Sequence, residues 1–224
     1  MKGNIRFEEG LDEYRAEDGT ILLTVRKKLP VVMLEGKKSV STVINEAVRD
    51  YVQSGNLAGV SVDEILEWAA ADYKVKGWDN WRAYKLATAY ETKREDERVI
   101  SFKFLTDSYM GGVHPNTMEG GITFDMQTGR RLDLADVVVD KSIAIAEIGE
   151  FLLQETKREA YAGLLFEGYE QRLGELLTED TWYLSELGLH VIGNEYLIAP
   201  YAAGSFDFVI PYAQAQFLRE EYKK

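Results

Sequence analysis

Hydrophobic and polar positions change their period several times along the chain, and each change marks an element. Ile5 and Phe7 alternate with polar neighbours, Asp18-Gly19 supplies a turn, and Ile21 to Val25 reads as the returning strand, which Pro30 is expected to end. From Ser39 onward Val40, Val43, Ile44, Ala47, Val48, Tyr51 and Val52 recur at helical spacing, leaving Asn45, Glu46, Arg49 and Asp50 on the opposite face. Ser61-Val62-Asp63-Glu64 has the form of a capping box. A second helix is therefore predicted to about Tyr73, with Ile65, Trp68, Ala69 and Tyr73 on its apolar face.

Alternation then returns. Tyr84, Leu86, Thr88 and Tyr90 share one strand face, 93–98 is a charged turn, and Ile100, Phe102 and Phe104 line the strand that comes back. A third strand carries Ile122, Phe124 and Met126 inward before Gln127-Thr128-Gly129-Arg130 turns the chain, which suggests a meander. Helices are predicted from about Ser142 to Lys157 and from Leu164 to Leu177, the second weakened by Gly168 and Gly174. The tail reads as strands around Trp182-Tyr183-Leu184, Leu189 to Ile192 and Phe206 to Ile210, with a short helix opened by Pro211. The pattern predicts an α+β fold of antiparallel sheets, hairpins and meander, packed by amphipathic helices. Two sub-domains, 1–110 and 111–224, are expected to share one globular body.

Composition narrows the function classes. With 46% hydrophobic residues and four prolines in 224 residues, the chain can bury a sizeable core. Its formal charge of −12 repels a phosphate backbone, so nucleic acid is excluded as a partner, while a basic protein would be attracted. There is no cysteine, which removes disulfides, thiol nucleophiles and cysteine-bound metals. No run approaches the ~20 apolar residues of a membrane helix, and the N-terminus lacks the apolar core of a signal peptide. Read as complete, the chain would stay in the cytoplasm; an export segment removed beforehand would leave no trace.

Catalytic motifs are missing. His114 and His190 are the two histidines, without metal-ligand spacing, so no metal is expected. Neither a dinucleotide fingerprint nor a Walker-type loop is present, so no cofactor is expected either. Ala203-Gly204-Ser205-Phe206 falls short of a nucleophile elbow, although a Ser/His/Asp triad can be assembled from scattered positions. The carboxylate pairs lie in termini or turns, where a solvated charge is favoured over general acid/base work, which needs burial. The expectation is a protein that is not an enzyme.

Two segments stand out as candidate ligand-binding loops. In the first, Tyr109, Gly111, Gly112, His114, Pro115 and Asn116 combine backbone freedom with an aromatic ring, an imidazole and an amide. In the second, Pro200, Tyr201 and Gly204 frame a tyrosine among small residues. For His114 the competing reading is a histidine that locks its own loop by hydrogen bonding.

Gly111-Gly112-Val113-His114-Pro115-Asn116, the run from Phe124 to Val137 containing Asp125 and Thr128-Gly129, Tyr201-Ala202-Ala203-Gly204 and Ile210-Pro211-Tyr212 together resemble a bacterial tandem of two domains of unknown function. That tandem is similar to the extracytoplasmic part of the lysozyme-sensing anti-sigma-V factor and to the non-catalytic N-terminal region of peptidoglycan deacetylase C. The resemblance implies an extracytoplasmic binding or sensing module of the cell envelope. It implies a basic protein such as a lysozyme as partner, or else peptidoglycan or another glycan, for which Trp78, Trp81 and Trp182 offer rings that could stack on sugars. An uncharacterised hydrolase is the third reading. The chain lacks the sigma-binding segment, membrane helix and deacetylase domain of those proteins, so neither the anti-sigma role nor deacetylation is transferred.

Overall fold

The computed structural model describes residues 4–53 and 60–224, with Trp78 described by its backbone alone. Among these residues eight strands form two sheets. The first has the order β1 (Asn4–Arg15), β2 (Ile21–Met33), β3 (Tyr84–Glu95), β4 (Val99–Tyr109) and β5 (Asn116–Asp125). The second comprises β6 (Trp182–Leu184), β7 (Gly188–Gly193) and β8 (Phe206–Pro211), all antiparallel. The α+β expectation holds, with one addition. β2 and β3 pair in parallel, because α1 (Lys38–Gln53) and α2 (Val62–Lys76) carry the chain back between them.

Four details differ from the sequence pattern. β2 runs through Pro30 to Met33: its parallel pairing with β3 stops at Lys27, so the missing N–H of Pro30 costs no rung there. Asn45, expected on the solvent side of α1, instead accepts from Val32 N–H at 2.8 Å and donates to its carbonyl at 3.0 Å, completing the unpaired side of β2. The segment predicted as a helix over 164–177 is a 3-10 stretch, Tyr169–Leu176, preceded by left-handed Gly168 (φ 75°), and the segment expected as a helix from Pro211 forms turns, with a 3-10 turn only later, at Glu220–Tyr222. A short helix α3 (Leu134–Val137) and the longer α4 (Lys141–Glu155) cover the second sheet.

Alternation explains the layering. Ile100, Phe102, Phe104, Ile122 and Phe124 face α1, whose Val40, Ile44, Val48, Tyr51 and Val52 close the core above them. Ile65 and Ala69 of α2 pack over Leu23, Val25, Tyr84 and Leu86. The capping box at Ser61 and Glu64 is formed as predicted. The opposite face of β4 and β5 carries the second sheet. Gly121 lies so close to it that a Cβ there would stand 2.7 Å from the Trp182 carbonyl oxygen and 2.7 Å from the Tyr183 ring. Thr123 accepts the Leu184 N–H at 3.2 Å, and Lys103 reaches Glu119 at 2.7 Å and Asp207 at 3.0 Å, joining both sheets. The expected division at 110/111 falls between β4 and β5, strands of one sheet.

Candidate functional site

The motifs that carry the resemblance separate into buried fasteners and an exposed surface. In the Asp125-Met126-Gln127-Thr128-Gly129 turn, one carboxylate oxygen of Asp125 accepts from Gln127 N–H at 2.9 Å, Thr128 N–H at 2.7 Å and Thr128 Oγ1 at 2.9 Å. Burial pushes the Asp125 pKa up, but these bonds and nearby Arg98 outweigh it and hold the group below the ordinary carboxylate range. Gly129, at φ 78°, lets the turn lie against α1, where a Cβ would meet the Val40 carbonyl at 2.7 Å. Tyr212 is also a fastener, donating to the Ser185 carbonyl at 2.6 Å.

His114 and Tyr201 meet at the surface. Their rings stack with centroids 3.9 Å apart and planes 22° apart, so the two loops singled out in the sequence form one feature. Gly111, at φ 77°, bends the first loop over Tyr84, Lys76 and Asp72; a Cβ would lie 3.1 Å from the Tyr84 ring. Val113 is fully exposed at the tip. Nδ1 of His114 donates to the Pro115 carbonyl at 2.9 Å, while the Tyr196 hydroxyl reaches Nε2 at 3.4 Å. The imidazole therefore fastens its own loop through its edges and stacks through a face. Asn116 opens β5, and Tyr109 ends β4 opposite Lys85. Pro200 precedes the 3-10 turn Tyr201–Ala203, which Gly204 closes at φ 70°.

Tyr196 was not indicated by the pattern. Its ring stacks on Tyr201 at 6.0 Å, and it has φ 65°, the one non-glycine residue with positive φ among those described. A tyrosine in that region is strained by about 1 kcal/mol. Its neighbours hold it: Asn194 pairs with both backbone groups of Glu119, Glu195 accepts from Thr117 N–H, and Arg172 donates to the Tyr196 carbonyl. An aromatic residue in the polar turn Asn194-Glu195-Tyr196 was the available sequence signal. Beside the stack lies a groove of about 320 Å³, lined by Trp68, Met110, Asn116, Met118, Glu195 and Tyr196. Trp68, expected on the buried face of α2, is instead 46% exposed here.

A carboxylate lies under the Gly111 bend. Asp72 accepts from Lys76 at 2.6 Å and from the Tyr84 hydroxyl at 3.0 Å, which keeps its pKa below the ordinary range. Burial, reinforced by Asp72, pushes the Tyr84 phenol up to about 12. Of the tryptophans considered for sugar stacking, Trp182 is buried, Trp81 donates to the Ile21 carbonyl at 2.8 Å within a core cluster, and the Trp78 side chain lies outside the described residues.

A Ser-His-Asp chain is also present. Ser185 Oγ lies 2.7 Å from His190 Nε2, and His190 Nδ1 lies 2.7 Å from Asp207 Oδ1. Ser185 Oγ already accepts from Leu187 N–H at 2.9 Å and Gly188 N–H at 3.3 Å, so its own hydrogen goes to Nε2 and Nδ1–H donates to Asp207. Ser185 and His190 are only 5% and 7% exposed. A nucleophile needs a lone pair facing substrate. Here the serine oxygen is occupied by the turn between β6 and β7, and the constellation serves as a lock on that turn.

The fold and this surface define the class: two sheet-based units in one α+β body, with stacked aromatic residues exposed beside a groove. Residues 20–117 match the family described as "Deacetylase PdaC" and residues 135–213 the family described as "Protein of unknown function (DUF3298)". The chain thus carries these two domains in tandem. A DUF3298 family member from Bacteroides fragilis superposes with a TM-score of 0.68 at 18% identity, covering 98% of this chain and 94% of that one. A DUF3298 family protein from Pseudomonas aeruginosa gives 0.61 at 14% identity, over 99% and 95%. At these identities the likeness concerns the fold. No curated protein matches the chain.

Proposed function

We propose that this protein is a non-catalytic recognition module of cell-envelope type, working outside the cytoplasm, and that it binds a basic protein such as a lysozyme through the His114, Tyr196 and Tyr201 surface. The observation that carries this reading is the 3.9 Å stack of His114 on Tyr201, which gathers both candidate loops into one exposed platform. Stacked tyrosines give large, rigid contact area at low entropic cost, and their faces accept lysine and arginine side chains. Glu195 in the adjoining groove, within a chain of charge −12, favours a cationic partner and speeds its approach. The tandem's similarity to envelope-associated proteins supports the setting.

A glycan is the second reading, favoured by the neighbouring groove, where Trp68 and Tyr196 offer rings and Asn116 and Glu195 offer polar partners. Co-sedimentation with insoluble peptidoglycan and capture by an immobilised C-type lysozyme separate the two. Capture by lysozyme that fades with salt supports the first reading. Retention on peptidoglycan without lysozyme capture would replace it with the second.

A further inference from the structure

The first sheet has one closed edge and one open edge. At the β5 edge, Asn194 pairs with Glu119, Glu195 accepts from Thr117, and Gly121 N–H donates to the Asp180 carbonyl at 2.9 Å. At the other edge lies β1, with no strand on its far side among the described residues. Ten of its twelve residues are exposed. A long edge with unmet N–H and C=O groups is a template for another strand, and native chains protect such edges with short strands, bulges, proline or charged side chains; β1 has charges of both signs, at Arg6, Glu8, Glu9, Asp12, Glu13 and Arg15, so a partner strand must match them. The only irregularity of β1 falls at its very end, between Tyr14 and Arg15, and it contains no proline.

The order of residues along β1 says which strand fits. An antiparallel copy of β1, centred on Glu9, sets Phe7 opposite Leu11 and Arg6 opposite Asp12, each pair twice. Pairing with β2 fixes the faces: Phe7, Glu9 and Leu11 share one, Arg6 and Asp12 the other. Around the axis Phe7 thus meets Leu11 and Arg6 meets Asp12, each pair on one side of the joined sheet, with Gly10 opposite Glu8; farther out Ile5 meets Glu13 and Asn4 meets Tyr14. Phe7 and Leu11, 58% and 55% exposed, would cover one another. Glu9 meets its own copy on the axis, but each lies 3.9 Å from a Lys28 ammonium. On the helix side Gly10 and Asp12 are exposed, so neither α1 nor α2 blocks a neighbouring strand.

We propose that this chain self-associates through β1, two copies joining antiparallel about Glu9 into one continuous sheet. Each copy carries −12, so their net repulsion opposes association and salt relieves it. This is the reverse of the salt response expected for a basic ligand, so the two ideas fail separately.

Sedimentation velocity over rising protein concentration and at low and high salt tests the proposal. The wild type should move from 25.4 kDa toward twice that mass, more readily at high salt. Arg6→Asp should remain monomeric, and Arg6→Asp combined with Asp12→Arg should restore the dimer, because the swap re-forms both pairs. Both positions are exposed, so the variants should keep the wild-type melting temperature. A wild type that stays at single-chain mass, an Arg6→Asp variant that dimerises equally well, or a double variant that stays monomeric would overturn the proposal.

Discussion

His190 donates from Nδ1 to Asp207 at 2.7 Å, and this bond anchors a polar chain running from the β6–β7 turn into the seam between the sheets. Tyr183 donates to the other oxygen of Asp207 at 2.6 Å, and Lys103 approaches the same oxygen at 3.0 Å. Burial pushes the Asp207 pKa up, but the bonds from His190 and Tyr183 and the nearby positive charge outweigh it and depress the group strongly.

A carboxylate depressed in the folded state contributes stability that is present above its unfolded pKa, near ~4, and is lost as pH falls toward the folded value. Urea midpoints measured from neutral pH downward should show an acid limb for the wild type. Asp207→Asn should lower stability by roughly 2 kcal/mol at neutral pH and flatten that limb. An unchanged limb would remove Asp207 from the account. Ser185→Ala should likewise destabilise, by about 1 kcal/mol, through the turn it fastens.

Gly121 and Gly149 should respond in opposite directions to alanine. A Cβ at Gly121 would strike the Trp182 carbonyl and the Tyr183 ring, forcing the sheets apart, and should cost roughly 2–3 kcal/mol. Gly149 sits inside α4 with open space around it, so alanine there should stabilise by about 0.5–1 kcal/mol. Thermal melts of the two variants check both signs.

Arg94 should prove one of the most sensitive positions. Its guanidinium, 3% exposed, pairs with Asp96 at 2.5 Å and donates to the Tyr212 hydroxyl at 2.7 Å and the Tyr222 carbonyl at 2.6 Å, tying the β3–β4 hairpin to the C-terminal tail. Arg94→Ala leaves these acceptors without their donor and should cost about 3–5 kcal/mol in urea unfolding. Protease cleavage near Tyr222 should increase in the same variant.

The alternation of Tyr84, Leu86, Thr88 and Tyr90 and the helical spacing from Val40 to Val52 were legible because each element has one buried face. The parallel pairing of β2 with β3 was not, since strand order depends on where α1 and α2 return the chain. Pro30 misled, whereas Gly168 was a correct signal that the apolar spacing around it outweighed. A proline is tolerated where its neighbour strand has diverged, and a left-handed glycine breaks a helix that the apolar spacing alone would allow. Of the candidate surface, His114 and Tyr201 were named from their glycine- and proline-bounded loops. Tyr196, Trp68 and Glu195 were missed because exposure in a turn or on a helix flank has no periodic signature. Ser185, His190 and Asp207 form a chain whose members belong to a turn and two strands, which spacing does not reveal.

Titration of the protein with a C-type lysozyme, for wild type and Tyr201→Ala, decides whether the stacked loops form a recognition surface. Tyr201→Ala removes a stacking contact worth about 1 kcal/mol, so its melting temperature should fall by only roughly 2–4 °C. Its affinity should fall at least about tenfold, as for an aromatic anchor at an interface, and wild-type binding should weaken steeply with salt. Equal affinity for the two proteins, or no binding by the wild type at low salt, would contradict the account.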